Sequence, residues 1–126
     1  MIARVLLDTH AFLWWAENDP RLSAAARDAI RTASDACISI VTPWEIAIKC
    51  AIDKLRMLPV SADLLDQQGF SLLPVTLDHA AESANLPVHH RDPFDRILVA
   101  QARHERLTLI TQDRRLFAYD VAIIRA

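Results

Sequence analysis

Five acidic residues of this sequence lie at the predicted ends of strands or starts of helices, where a carboxylate can bind a metal ion or stabilise the start of a helix. They are Asp8 after "ARVLL", Glu45 in "TPWE", Asp92 and Asp95 in "DPFDR", and Asp113 in "LTLITQD". Carboxylate oxygens are the ligands that hard cations such as Mg²⁺ and Mn²⁺ prefer. Acidic side chains are also common in the first turn of a helix, because they stabilise its positive end.

Taken one at a time, these acids have good structural explanations. "TPWE" reads as a capping box, with Thr42 at the N-cap, Pro43 in the first turn and Glu45 three residues after the cap. "DPFD" is nearly the same pattern, with Asp92 as the cap and Asp95 three residues on. Local sequence therefore predicts helix starts at Thr42 and Asp92.

Taken together, the acids favour a metal site. Asp8 and Asp113 could each cap the helical turn that follows, and Asp78 is predicted to cap the helix after the third strand. A cap needs only one small polar residue, however, and Ser23 already caps another helix. Two carboxylates about 4 Å apart repel by about 4 kcal/mol at an effective dielectric of about 20. A cluster of several carboxylates is therefore usually explained by a cation between them.

The elements that must position these acids alternate between strand and helix. Short apolar, β-branched runs predict strands, and stretches of helical periodicity with capping residues predict helices. The predicted strands are 3–7, 36–41, 71–75, 107–111 and 121–125, and the predicted helices are 9–18, 23–33, one from 42, 62–68 (ended by Gly69), 78–85 and 92–106.

Such alternation predicts a three-layer α/β/α sandwich with a mainly parallel central sheet. In this architecture ligands bind outside the carboxyl ends of the strands. Because helices that return to the sheet begin at that edge, we expect all five acids to gather there.

Length, charge and cysteine content bear on the number of domains, the class of partner and the cellular compartment. The 126 residues fit a single domain, 1–126, and a net charge of −2 excludes a generic cationic binder of nucleic acid. Two isolated cysteines, the lack of a signal peptide and the lack of a long apolar stretch predict a cytoplasmic protein.

Four stretches of the sequence resemble those of a known family. "LLDTHAFLWW", "TPWEIAIK", "HHRDPFDRILVAQA" and "LTLITQD" have the order and spacing of PIN domains, and look most like VapC-type toxins of bacterial toxin–antitoxin pairs. The resemblance covers nearly the whole chain. It implies a metal-dependent ribonuclease with an RNA substrate, a VapB-like antitoxin that covers the acidic site, and a homodimer.

The resemblance also assigns an acidic quartet. The family's four acids match Asp8, Glu45, Asp95 and Asp113, which implies catalysis with Mg²⁺ or Mn²⁺ held by these residues. Asp92 is a further candidate ligand; we favour a helix cap for it and a metal ligand for Asp95.

Several neighbours of the acids have open roles. His89 and His90 could steer RNA or bind metal, and the absence of a partner at ligand spacing argues against metal. Thr9 and Thr111 could bond a carboxylate or simply end strands. Four arginines could contact phosphate or pair with the acids; they are Arg91, Arg96, Arg114 and Arg115.

Other functions fit less well. A haloacid-dehalogenase-like phosphatase requires Asp-x-Asp after the first strand, but Asp8 is followed by Thr9 and His10. A receiver domain requires an aspartate after the third strand, which "SLLPVT" lacks. The single glycine excludes a glycine-rich nucleotide loop. A non-catalytic PIN-like protein-binding module remains the main alternative, against which the complete quartet argues.

Overall fold

The computed structural model describes residues 3–56 and 60–126, which form a five-stranded parallel sheet flanked by helices. The strands are β1 (Arg4–Leu7), β2 (Asp35–Ser39), β3 (Phe70–Leu73), β4 (Thr108–Thr111) and β5 (Ile123–Arg125). The helices are α1 (Thr9–Ala16), α2 (Ala24–Thr32), α3 (Val41–Ala51), α4 (Ala62–Gln67), α5 (Leu77–Asn85) and α6 (Pro93–Glu105), with a 3₁₀ helix at Arg114–Ala118.

The strand order is β3-β2-β1-β4-β5, and every neighbouring pair is parallel. The central strand β1 pairs with β2 on one side and β4 on the other, so that Leu7 is level with both Ile38 and Ile110. All five carboxyl ends therefore meet at one edge. The predicted α/β sandwich is confirmed, and the mainly parallel sheet is wholly parallel.

Helices cover both faces of the sheet, and each face has its own apolar core. Val5 and Leu7 face a core built with α1, α2 and α4, whereas Leu6 faces a core built mainly with α6. This alternation follows from the period of two in a strand. All three side chains are fully buried, and each such burial contributes about 2 kcal/mol.

Two predicted caps are wrong. Helix α3 begins at Val41, and its N-cap residue, Ile40, makes no side-chain cap hydrogen bond, so Thr42 is not the cap. Helix α5 is capped by Thr76, whose hydroxyl accepts from the amide of His79, and not by Asp78, which lies in the first turn. In both cases the helix begins one residue before the residue that was predicted to cap it.

Other local predictions are confirmed. The Ser23 hydroxyl caps α2 by accepting from the amide of Ala26. Gly69 follows α4 with a φ of 85°, a left-handed conformation that glycine adopts without strain. Strand β3 lies slightly earlier than predicted, at Phe70–Leu73. Within the described ranges, no helix combines the length and apolar character needed to cross a membrane.

Candidate metal centre

The structure brings the five acids together at the carboxyl edge of the sheet. Asp8 follows β1, Glu45 lies in the second turn of α3, Asp92 and Asp95 begin α6, and Asp113 follows β4. All five line one cleft with a volume of about 580 Å³.

Asp8 is the most deeply buried acid of the cleft, with 4% of its surface exposed. Its Oδ1 accepts a hydrogen bond of 2.8 Å from the amide of Ala11 and so caps α1. Burial raises the pKa of Asp8, although hydrogen bonds from Thr111 and Ala11 act in the opposite direction. Asp8 is therefore both a cap and a carboxylate that faces the cleft.

Glu45 is held by side chains and not by a helix terminus. Its Oε1 accepts a hydrogen bond of 2.6 Å from the Thr9 hydroxyl, and its Oε2 lies 3.1 Å from Nζ of Lys49. The Thr42 hydroxyl lies 3.5 Å from that of Thr9. Thr42 and Glu45, the two ends of the capping-box pattern, thus both lie against Thr9, the first residue of α1.

Asp92 and Asp95 have different environments although they are three residues apart. Asp92 Oδ1 accepts from the amide of Phe94 at 2.8 Å, which confirms it as the cap of α6. Burial raises the pKa of Asp95 to about 7, with further contributions from the charges of Asp92, Asp8, Glu45 and Asp113. The Asp95 side chain is only 22% exposed. Its negative charge is therefore costly unless a cation is bound.

Asp113 is partly neutralised within the protein. Arg115 forms two side-chain hydrogen bonds to its carboxylate, of 3.1 Å to Oδ1 and 3.0 Å to Oδ2. Burial alone would raise the pKa of Asp113, but the hydrogen bonds and charge of Arg115 outweigh it and hold the pKa below its ordinary value. Thr111 orients this segment by accepting from the amide of Asp113.

His90 lies inside the cleft, which sequence reasoning did not anticipate. Its ring is 6% exposed, and its Nε2 lies 3.0 Å from Asp113 Oδ2 and 2.9 Å from Asp95 Oδ2. Local sequence spacing gives no sign of these contacts, because Asp113 is 23 positions away from His90. His89, by contrast, is exposed and packs edge-on against Tyr119.

The arginines near the cleft have separate roles. Arg115 pairs with Asp113, as one of the two open interpretations proposed. Arg96 pairs with no acid among the described residues and does not line the cleft; it donates mainly to backbone carbonyls, of which Ser83 and Leu86 are the nearest at 2.7 and 2.9 Å. Arg114 lines the cleft and Arg91 lines the adjoining groove; in the described part of the chain neither forms an ion pair.

The donor set fits a hard divalent cation. The cleft's carboxylates outnumber the Lys and Arg side chains that pair with them: Lys49 pairs with Glu45 and Arg115 with Asp113, whereas across 3–56 and 60–126 no Lys or Arg pairs with Asp8 or Asp95. Oxygen atoms of Asp95 and Asp113 lie within 4.8 Å of each other, close enough for both to contact one ion. Oxygen donors of this kind suit Mg²⁺ or Mn²⁺.

Comparison with known proteins relates this geometry to a family. The family model described as "PIN domain" matches residues 5–122. Ribonuclease VapC22 from Mycobacterium tuberculosis (strain ATCC 25618 / H37Rv) is 34% identical over 120 residues, covering 89% of this chain and 88% of that protein.

Several solved structures share the fold. The DNA-bound VapBC structure from Salmonella typhimurium matches with a TM-score of 0.69 at 18% identity, covering 98% of both chains. A toxin–antitoxin complex from Klebsiella pneumoniae matches with a TM-score of 0.67 at 20% identity, covering 96% of both chains.

Proposed function

The chain belongs to the PIN-domain family, and from that membership we propose that it is a metal-dependent ribonuclease of the VapC type that hydrolyses RNA phosphodiester bonds. The observation that carries the proposal is the convergence of Asp8, Glu45, Asp95 and Asp113 on one cleft. The similarity to a ribonuclease over most of the chain supports the same activity.

The proposed metal is Mg²⁺ or Mn²⁺. Asp8 and Asp95 would hold it: Asp8 is buried, Asp95 is half-buried, and among the described residues neither is paired with a Lys or Arg. Glu45 and Asp113 would complete the site. When bound, such a cation neutralises the scissile phosphate and makes water a better nucleophile.

The protein's own side chains keep the acids in place for this task. Thr9 and Lys49 fix both oxygens of Glu45, and Arg115 fixes both oxygens of Asp113. Arg91 and Arg114 remain available for phosphate contacts at the cleft and its adjoining groove. A cleft with this excess of carboxylates repels RNA, so RNA binding near Asp95 requires the cation.

We further propose that the chain, as one domain spanning 1–126, is the toxin of a toxin–antitoxin pair and forms a homodimer. The names of the matched structures support an antitoxin partner. Apolar side chains are exposed at intervals of four residues on α3 and at its two caps, which supports contact with another chain; they are Ile40, Trp44, Ile48 and Ile52. A basic segment of the antitoxin would suit the acidic cleft.

The test compares three asparagine variants that remove one charge each. We expect Asp8→Asn and Asp95→Asn to lower cleavage of a structured RNA by about a hundredfold or more, because the bound metal supplies several kcal/mol of transition-state stabilisation. Asp92→Asn is the matched control, since asparagine also caps helices. It should retain more activity than Asp95→Asn.

Cleavage is measured with Mg²⁺, with Mn²⁺ and with chelator, and growth is followed during expression without antitoxin. Cleavage by wild type in chelator would contradict metal dependence. An Asp95→Asn variant as active as wild type would remove Asp95 from the metal site. If Asp92→Asn loses as much activity and metal affinity as Asp95→Asn, Asp92 is itself a ligand.

A further inference from the structure

The loop between α5 and α6 carries His90 into the acidic cleft. The imidazole is almost fully buried, and one atom, Nε2, meets carboxylates from two separate elements. It forms a hydrogen bond of 3.0 Å with Asp113 Oδ2, beyond β4, and lies 2.9 Å from Asp95 Oδ2, in α6. A single ring nitrogen thus lies between two acids that are expected to repel each other.

The backbone determines which ring nitrogen carries the hydrogen. The amide of Asp92 donates a hydrogen bond of 3.1 Å to His90 Nδ1. Because an amide N–H can only donate, Nδ1 must present a lone pair, and the neutral ring carries its hydrogen on Nε2. A nitrogen that bears hydrogen donates to carboxylates and has no lone pair for a metal ion.

The backbone of the same loop is fixed from two sides. The Tyr119 hydroxyl accepts from the amides of His89 and His90 and donates to the carbonyl of Pro87 at 2.8 Å. The Arg96 guanidinium donates to the carbonyls of Pro87 and His90. These bonds hold the loop in the position that places the His90 ring in the cleft, so the ring is in place before any ligand binds.

We propose that His90 is a positioning residue of the metal centre: its Nε2–H holds the carboxylates of Asp95 and Asp113 together, and it is not itself a metal ligand. This inference rests on the proposed function, because it presupposes that those carboxylates bind a cation. The hydrogen bond offsets repulsion that would otherwise separate the two acids. Removing it makes the metal-free site less ordered and weakens metal binding.

Calorimetric titration with Mn²⁺ in the absence of RNA tests the proposal without measuring activity. We expect His90→Leu, which removes the donor, to weaken Mn²⁺ binding by about tenfold or more, as is typical when the hydrogen-bonding partner of a ligand is lost. His90→Gln restores an N–H donor and should recover much of that loss. His89→Leu is the control, because His89 is exposed on the same loop, and its affinity should equal that of wild type.

Nitrogen NMR of the wild-type histidine rings gives a second readout that requires no variant. Upon addition of Mg²⁺, His90 Nε2 should keep the chemical shift of a protonated nitrogen. Loss of that hydrogen would make His90 a ligand and overturn the proposal, as would a His90→Leu affinity within twofold of wild type. Failure of wild type to bind either ion would instead contradict the proposed function.

Discussion

The pKa of Asp95 lies near 7 because burial and four neighbouring carboxylates all disfavour its negative charge. Its ordinary value is 3.8, so the metal-free folded protein binds a proton at pH 4–7 that the unfolded chain releases. Folding stability from this group is therefore present at low pH and falls as pH rises towards 7. Above pH 7 the buried charge is a constant penalty.

Asp95→Asn removes this penalty. In chelator at pH 8 we expect the variant to be more stable than wild type by at most about 4 kcal/mol, since one pKa unit corresponds to about 1.4 kcal/mol. The difference should shrink as pH falls to about 4. Urea unfolding across this pH range measures it, with the exposed Asp78→Asn as control. Parallel pH profiles for Asp95→Asn and wild type would contradict the raised pKa.

At the level of single residues, the sequence predicts which acids gather but not how each is held. "TPWE" and "DPFD" are nearly identical patterns, yet only Asp92 is a cap, whereas Glu45 bonds Thr9 and Lys49. The difference arises because Ile40, the residue after β2, is already the N-cap residue of α3, two positions before Thr42. The role of His90 depends on Asp113 at the end of another strand, and local spacing carries no signal for that contact.

At the level of elements, the junction between α5 and α6 depends on one side chain, the guanidinium of Arg96. The Arg96 guanidinium donates side-chain hydrogen bonds to the backbone carbonyls of four residues that precede α6: Ser83, Leu86, Pro87 and His90. It thus ties the end of α5 to the start of α6. A planar guanidinium with five donors can serve this many acceptors, whereas an ammonium group cannot.

We expect Arg96→Lys to lower the free energy of unfolding by about 2 kcal/mol or more, because several partly buried carbonyls lose their donors. Arg31→Lys is a matched control, since Arg31 forms only an exposed pair with Asp28 and should change stability by less than about 0.5 kcal/mol. Urea unfolding in chelator compares them. If Arg96→Lys is as stable as Arg31→Lys, the loop does not depend on this guanidinium.

Element order was predictable from the sequence because strand and helix periods differ clearly along this chain. The parallel sheet followed from that alternation, and its carboxyl edge located the acids. Arg96 was not predictable in the same way. Most of its acceptors are backbone carbonyls at the end of α5 and in the loop that follows, which any residue type provides, so sequence carries no signal for them. Among the described residues Arg96 pairs with no acid, and its proposed contact with phosphate stays a prediction.

At the scale of the whole molecule, the acids that would bind the cation destabilise the folded protein when the cation is absent. The sheet and its two apolar cores bring the carboxyl ends of five strands together, and this brings the acids together as well. Hydrophobic burial thus stabilises an arrangement in which Asp8 and Asp95 are partly desolvated and, among the described residues, have no Lys or Arg partner. A divalent ion that binds only the folded state would relieve that cost.

Thermal melting of wild type and Asp8→Asn, each with chelator and with excess Mg²⁺ or Mn²⁺, tests this account most directly. Asparagine retains the hydrogen bond to Ala11 while it removes a buried charge, so the metal-free variant should be at least as stable as wild type. Wild type should gain about 2.7 kcal/mol at a hundred times the dissociation constant, and the variant much less. Equal gains for both proteins would place the bound ion away from Asp8, and no gain for wild type with either ion would mean that these acids bind no metal.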